Sequence, residues 1–211
     1  MDASAEVVPS VRIGAVSDGY RLVGTEHLAD AGFLTLSADR FVTPAGEEFT
    51  RYVVTHPGAV VAVPVDSEGA VFLVRQFRAA VREPMLELPA GKLDVPGEDP
   101  GAAVARELAE EIGHRPAKLV ALTSFWNSPG FSTERTHVFL ATGLVPCPAG
   151  FDLTGGGTGT DEVEERDMTI ERMPLPEAVR RVGTGEITDG KTIVGLLLAD
   201  RWLAARAGAS R

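Results

Sequence analysis

Apolar and polar residues alternate from Tyr20 to His56, as in Gly32-Phe33-Leu34-Thr35-Leu36 and Thr50-Arg51-Tyr52-Val53-Val54, with Thr43-Pro44-Ala45-Gly46 as a turn between the two runs. A period of two with turn residues between the runs predicts an antiparallel strand unit. Its open edges need covering, by the main domain or by a second subunit. At Gly58 the text changes to near-continuous apolar runs, Ala59-Val60-Val61-Ala62-Val63 and Ala70-Val71-Phe72-Leu73-Val74, around the turn-like Asp66-Ser67-Glu68-Gly69. These predict a second, more buried hairpin. Further strands are expected at Leu86–Leu88, Leu119–Phe125, His137–Leu144 and Met168–Met173, and helices at Pro100–Ile112, Leu175–Val182 and Lys191–Ala207. Strands, hairpins and helices interleave, so the expected class is α+β with a mixed, layered sheet. Two parts are expected: residues 1–57, a loose arm and a strand unit, and residues 58–211, the main domain.

The 211 residues, 44% of them hydrophobic, suffice for one well-buried domain with a small appendage. With 20 Lys and Arg against 30 Asp and Glu, the net charge of −10 repels nucleic acid and anionic membranes. Any phosphate group handled here therefore needs a local remedy, an arginine cluster or a bound divalent cation. Cys147 is the single cysteine, so no intrachain disulfide framework and no thiolate metal site is available, which fits a reducing cytoplasm. Residues Met1–Ser10 lack a basic start followed by an apolar stretch, and no apolar run approaches the roughly 18 residues of a membrane span. The expectation is an unprocessed cytoplasmic protein without membrane or nucleic-acid partners.

The chemistry concentrates between Gly91 and Gly113. Asp99-Pro100 is an N-cap followed by proline at the first helical position, and Gly113 suits a left-handed stop. At 100° per residue Val104, Leu108 and Ile112 form a buried stripe, with Glu107, Glu110 and Glu111 in a sector of about 100° beside it. Two glutamates four residues apart on one face repel each other by roughly 0.2–0.5 kcal/mol in an isolated helix. A hard cation reverses that sign, and a glutamate cluster on a rigid helix suits magnesium better than zinc. A solvated acidic face is the ordinary meaning of such a pair, and the surrounding residues decide between the two.

Gly91, Glu98, Arg106, Glu107, Leu108, Glu110, Glu111 and Gly113 resemble the Nudix box, with Asp99–Ala105 as its seven-residue gap. Six residues rather than five separate Gly91 from Glu98, and His114 stands where an aliphatic residue is expected. The extra residue lies before the helix and leaves the helical carboxylates in register; His114, past the helix stop, is expected at the surface. The resemblance implies a Nudix hydrolase. Its fold would be an α/β/α sandwich with a mixed sheet, and its reaction the Mg2+-assisted hydrolysis of a nucleoside diphosphate linked to another group, with Mn2+ as a possible substitute. It further implies Glu107, Glu110 and Glu111 and the Ala90 carbonyl as metal contacts, Arg106 as the residue that orients the glutamates, and Glu98 as structural.

Val74-Arg75-Gln76-Phe77-Arg78, Glu87-Leu88-Pro89-Ala90-Gly91 and Pro129, sixteen residues after Gly113, resemble the ADP-ribose pyrophosphatase branch. That implies hydrolysis of ADP-ribose to AMP and ribose 5-phosphate. Another nucleoside diphosphate sugar or a dinucleotide is the alternative substrate, and a non-cleaving ADP-ribose sensor the alternative function. Arg75 and Arg78 are the local cations for a diphosphate. Arg51 is expected to contribute from the N-terminal unit, which in this branch swaps between subunits, so a homodimer is implied. The general base is placed in the acidic loop Asp161–Asp167, at Glu164 or else Glu165; alternation does not decide between them. Such a loop could close over a bound substrate. Gly155-Gly156-Gly157-Thr158-Gly159 lacks the Lys-Ser/Thr of a nucleotide loop, and the four histidines lack the spacing of a helical zinc pair. Phe125 and Trp126 are candidates for stacking on a base or for the core.

Overall fold

The computed structural model describes residues 18–148 and 167–209. The chain divides into two compact units, Met1–Pro57 with Ser128–Arg135, and Gly58–Asn127 with Thr136–Arg211. The segment Ser128–Arg135, read from sequence as part of the main domain, thus clusters with the first unit.

The first unit is an antiparallel meander of β1 (Arg21–Ala31), β2 (Leu34–Val42) and β3 (Glu48–Thr55), in that order across the sheet. Gly32, expected inside a strand, instead has φ of +61° and opens the turn before Leu34. Ala31 pairs with Leu34, so Gly32-Phe33 is a two-residue hairpin loop with glycine first, where the twist of the flanking strands demands positive φ. The expected turn after Phe41-Val42 is present: Gly46 N–H donates to the Thr43 carbonyl at 3.0 Å. Ser128–Arg135 is tied to β3, where Val54 donates to Phe131 at 2.7 Å and Thr133 donates to Val54 at 3.0 Å. β1 is exposed along almost its whole length, with Leu22, Val23 and Leu28 open to solvent.

The second unit is built around β4 (Ala59–Pro64), every residue of which is buried. It lies in a four-stranded sheet of order β7-β4-β9-β8, formed with β7 (Ala90–Lys92), β8 (His114–Trp126) and β9 (Arg135–Pro146). β4 runs antiparallel to β7 and parallel to β9, so the sheet is mixed. Val60 and Ala62 pack in one core with Val104, Leu108 and Ile112 of α1 (Pro100–Ile112). Val61 and Val63 pack in another with Leu196 and Ala199 of α3 (Gly190–Ala209). With a helix on each face, both sets of alternating side chains must be apolar, which is why the run is continuous.

The expected hairpin between β4 and β5 (Ala70–Arg78) is not formed. The turn is present, with the Asp66 side chain accepting from the amides of Glu68 and Ala70 at 2.9 and 3.0 Å. Beyond a single bridge, Val65 to Val71, the strands part into different sheets. Both edges of β4 are already occupied, by β7 and β9, and β5 instead pairs with β6 (Glu83–Glu87) and β10 (Thr169–Pro174). α2 (Leu175–Thr184) ends at left-handed Gly185. No helix among the described residues is long and apolar enough to cross a membrane.

α3 is held against the sheet at both its start and its middle. At Gly195 a Cβ would lie 2.6 Å from Leu88 Cδ1 and 3.1 Å from Val63 Cγ2, so the missing side chain sets the helix-to-sheet distance. Gly195→Leu is therefore expected to destabilise the fold by about 1–3 kcal/mol through overpacking, read as a lower urea midpoint; an unchanged midpoint would show that the helix is free to lift. At its start, Asp189 accepts from the Thr192 amide at 2.8 Å and hydroxyl at 2.7 Å and pairs with Lys191 at 2.8 Å. Burial pushes the Asp189 carboxyl up, but Lys191 and Thr192 together hold it below its usual range. A depressed folded pKa contributes stability above the unfolded value of about 3.9, lost as pH falls through the folded value. Wild type should thus exceed Asp189→Asn in stability at pH 7, with the gap closing below about pH 4; a gap constant across that range counts against the assignment.

Candidate active site

α1 begins and ends where its sequence dictates. Asp99 accepts from the amides of Gly101 at 2.9 Å and Ala102 at 3.1 Å, Pro100 occupies the first turn, and Gly113 closes the helix at φ of +65°. Ala103, Val104, Leu108, Ala109 and Ile112 are buried. The register of that stripe fixes where the three glutamates emerge, on half-buried positions beside it.

Arg106 organises this acidic edge. Its guanidinium contacts Glu107 at 2.8 Å, Glu110 at 2.9 Å and Glu98 at 3.3 Å. Partial burial works against the charge of Arg106, but the hydrogen bond to Glu98 and the fields of Glu107, Glu110 and Glu98 raise its pKa well above the ordinary arginine value. One cation shared by three carboxylates keeps them close together while leaving the edge net negative. Glu111 turns the other way and accepts from the Ala90 amide at 3.1 Å, which ties α1 to β7.

β7 approaches the helix through Gly91. A Cβ built there would overlap the carboxyl group of Glu107, so any larger residue would force that side chain to move. Among the described residues, no three His, Cys, Asp or Glu side chains converge as a ready-made metal cage. The reason lies in the pairings just given: Arg106 draws in Glu107 and Glu110, and the Ala90 amide holds Glu111. The donor set nevertheless fits a hard divalent cation of the magnesium type, which takes one or two carboxylates and completes its shell with water and phosphate oxygens. The space left at Gly91 for a carboxylate points the same way.

Arg75 and Arg78, the arginines expected at a phosphate, each already have a carboxylate partner. Arg75 Nε donates to Glu171 at 2.6 Å. Arg78 forms a two-pronged pair with Glu87, Nε and Nη2 each at 2.7 Å from one oxygen. Two of five guanidinium N–H groups are used there, and three remain for another acceptor. Glu87 enters the sequence pattern only as part of the branch motif, with no role of its own, although a carboxylate between Leu86 and Leu88 in a strand is a signal for a buried, paired charge.

In the first unit, Arg51 and Pro129 line one pocket of about 340 Å³ with Tyr20, Phe41, Phe49 and Phe131. Phe41 and Phe49 stack at 5.5 Å, and the Arg51 guanidinium lies 4.7 Å from the Phe49 centroid. Phe125 packs on the main core. His114, expected at the surface, is half-buried, because β8 starts directly after Gly113; its ring packs on Phe72 at 5.1 Å. Glu164 and Glu165 lie outside the described residues.

Gly91→Ala is expected to lower the hydrolytic rate at least about tenfold by displacing Glu107, with little loss of secondary structure by circular dichroism. Wild-type turnover would show that Glu107 has another place to go.

The NUDIX domain model matches residues 55–189. The chain is 38% identical over 178 residues to the ADP-ribose pyrophosphatase of Mycobacterium tuberculosis, covering 84% of this chain and 82% of that one. It is 33% identical over 172 residues to the ADP-ribose pyrophosphatase of Bacillus subtilis, covering 82% and 88%. A solved structure described as an ADP compounds hydrolase superposes with a TM-score of 0.74 at 20% identity, covering 89% of this chain and 95% of the other, and so shares the fold. By its matched domain and its relatives, the chain belongs to the Nudix hydrolase family.

Proposed function

We propose that this protein hydrolyses the diphosphate bond of ADP-ribose to AMP and ribose 5-phosphate, with Mg2+ as cofactor and Mn2+ as a substitute. The observation that carries the reaction class is the acidic edge of α1, with Glu107 and Glu110 gathered by Arg106 and Glu111 held by Ala90. Similarity to two ADP-ribose pyrophosphatases over more than four-fifths of each chain supports the substrate.

In this reading Glu107, Glu110, Glu111 and the Ala90 carbonyl hold the cation. When bound, it supplies charge neutralisation for the diphosphate and lowers the pKa of a water molecule. Arg106 keeps the glutamates from spreading apart before substrate arrives. Arg78, fixed by Glu87 along its Nε edge, offers its remaining donors to a phosphate oxygen, and Arg75 adds a second positive group. Glu164, or else Glu165, accepts the proton of the attacking water as its oxygen bonds to phosphorus and the bridging P–O bond breaks. The aromatic pocket holding Arg51 and Pro129 suits a stacked nucleobase. The exposed apolar side chains Leu22, Leu28 and Tyr52 support a homodimer built through the first unit, and we place the enzyme in the cytoplasm.

Purified protein with Mg2+ and ADP-ribose should release AMP, ahead of ADP-glucose, NADH, a diadenosine polyphosphate or an oxidised nucleoside triphosphate, and EDTA should stop it. Glu164→Gln is expected to lower kcat by about 10²–10⁴-fold, with a smaller effect of Glu165→Gln. A faster rate on another of these compounds would replace the substrate, and binding of ADP-ribose without cleavage would make the protein a sensor.

A further inference from the structure

Glu87 is the one fully buried acid among the described residues, 1% exposed between buried Leu86 and Leu88. Burial of a carboxylate is unfavourable unless each oxygen is matched. Here Arg78 supplies both matches, at 2.7 Å each, and Lys191 Nζ stands 4.0 Å from Oε2.

The pair is asymmetric in a way that a purely structural ion pair need not be. Glu87 is sealed in, whereas the Arg78 side chain is 36% exposed. The carboxylate is the fixed end and the guanidinium the presented end. In the β5–β6 ladder Arg78 faces Glu83, while Glu87 faces Val74. The arginine therefore runs diagonally back along the sheet, a posture imposed by its partner. The charges of Glu111 on α1 and of Asp189 also act on the Arg78 guanidinium, raising its pKa.

Glu87 is in turn held from outside its own strand. The next amide, Leu88 N–H, donates to Thr192 Oγ at 2.8 Å, and that hydroxyl donates to Asp189 at 2.7 Å. Asp189 accepts from Lys191 at 2.8 Å, which keeps the second cation beside Glu87. The start of α3 thus braces the end of β6.

We infer that Glu87 is a positioning residue for the substrate diphosphate: from within the core it locks the Arg78 fork in the orientation that receives a phosphate oxygen. This rests on the diphosphate reading given above. An arginine already held in place loses little rotamer freedom when the phosphate arrives, so the gain appears as tighter binding. The hydrogen bonds to Glu87 raise the Arg78 pKa further, on a group that is charged without them.

The test compares full-length wild type, Glu87→Gln, Glu87→Asp, Arg78→Lys and the Glu87→Gln/Arg78→Lys double variant with Mg2+ and ADP-ribose. Binding of α,β-methylene ADP-ribose is measured alongside by calorimetry. Each single variant is expected to raise KM and the analogue Kd about tenfold with kcat within about twofold. The double variant should be no worse than Arg78→Lys alone, the mark of two residues acting through one contact. Glu87→Asp keeps the charge but withdraws it by one methylene, and carries the test if Glu87→Gln fails to fold. A lower melting temperature with unchanged KM and Kd in the folded Glu87 variants, or an Arg78→Lys variant with wild-type KM, overturns the inference while leaving the proposed function in place. Absence of ADP-ribose turnover by wild type overturns the proposed function, and this inference with it.

Discussion

The two-sided burial of β4 is the constraint on which the second unit depends. Because Val60 and Ala62 face one helix while Val61 and Val63 face another, neither α1 nor α3 can be moved without opening a core. The placement of the chemistry follows from that packing. The stripe Val104-Leu108-Ile112 that docks α1 on β4 also determines that Glu107, Glu110 and Glu111 emerge along one side of it. The close approach of α3 at Gly195 brings the Asp189-Lys191-Thr192 cap to the end of β6. Binding groups on rigid elements hold their geometry better than groups on loops.

Crowding carboxylates on one helical edge has an electrostatic cost, and the protein meets it with arginines rather than with distance. Arg106 collects three acids, and Arg78 and Arg75 each hold one. Arginine suits this use because its fork can satisfy a carboxylate on one edge and still donate from the other. A lysine would give a single point of charge without the fixed plane.

The legible part of this architecture was the part encoded locally. α1 has the same first and last residues in the structure as in the sequence pattern, because Asp99-Pro100 and Gly113 specify its ends within a few residues of each. The expected hairpin at Asp66–Gly69 failed for the complementary reason. The turn chemistry was correct, but whether two strands pair depends on which edges are already taken, and β9, about 75 residues further along, takes that edge of β4. Gly32 was misplaced because an apolar neighbour on each side of a turn imitates alternation when the loop is only two residues long. Glu87 was hidden because its partners lie in Arg78 and at the start of α3, and its own neighbours read simply as a strand.

A chain of net charge −10 gains nothing from its overall field when it approaches a diphosphate. The local charges do not reverse this by excess, since Arg75, Arg78 and Arg106 are all matched by acids. In the proposed function, what they contribute is orientation. A guanidinium already neutralised along one edge attracts an anion weakly at long range, yet at contact it presents donors whose direction is fixed, and it need not shed other partners to use them. In the proposed function, attraction falls to a cation held by the glutamates, and selectivity to the paired arginines. Under the proposed function, such a division of labour would let a strongly acidic protein handle an acidic substrate, with positive groups arranged for geometry at contact and negative groups for a metal.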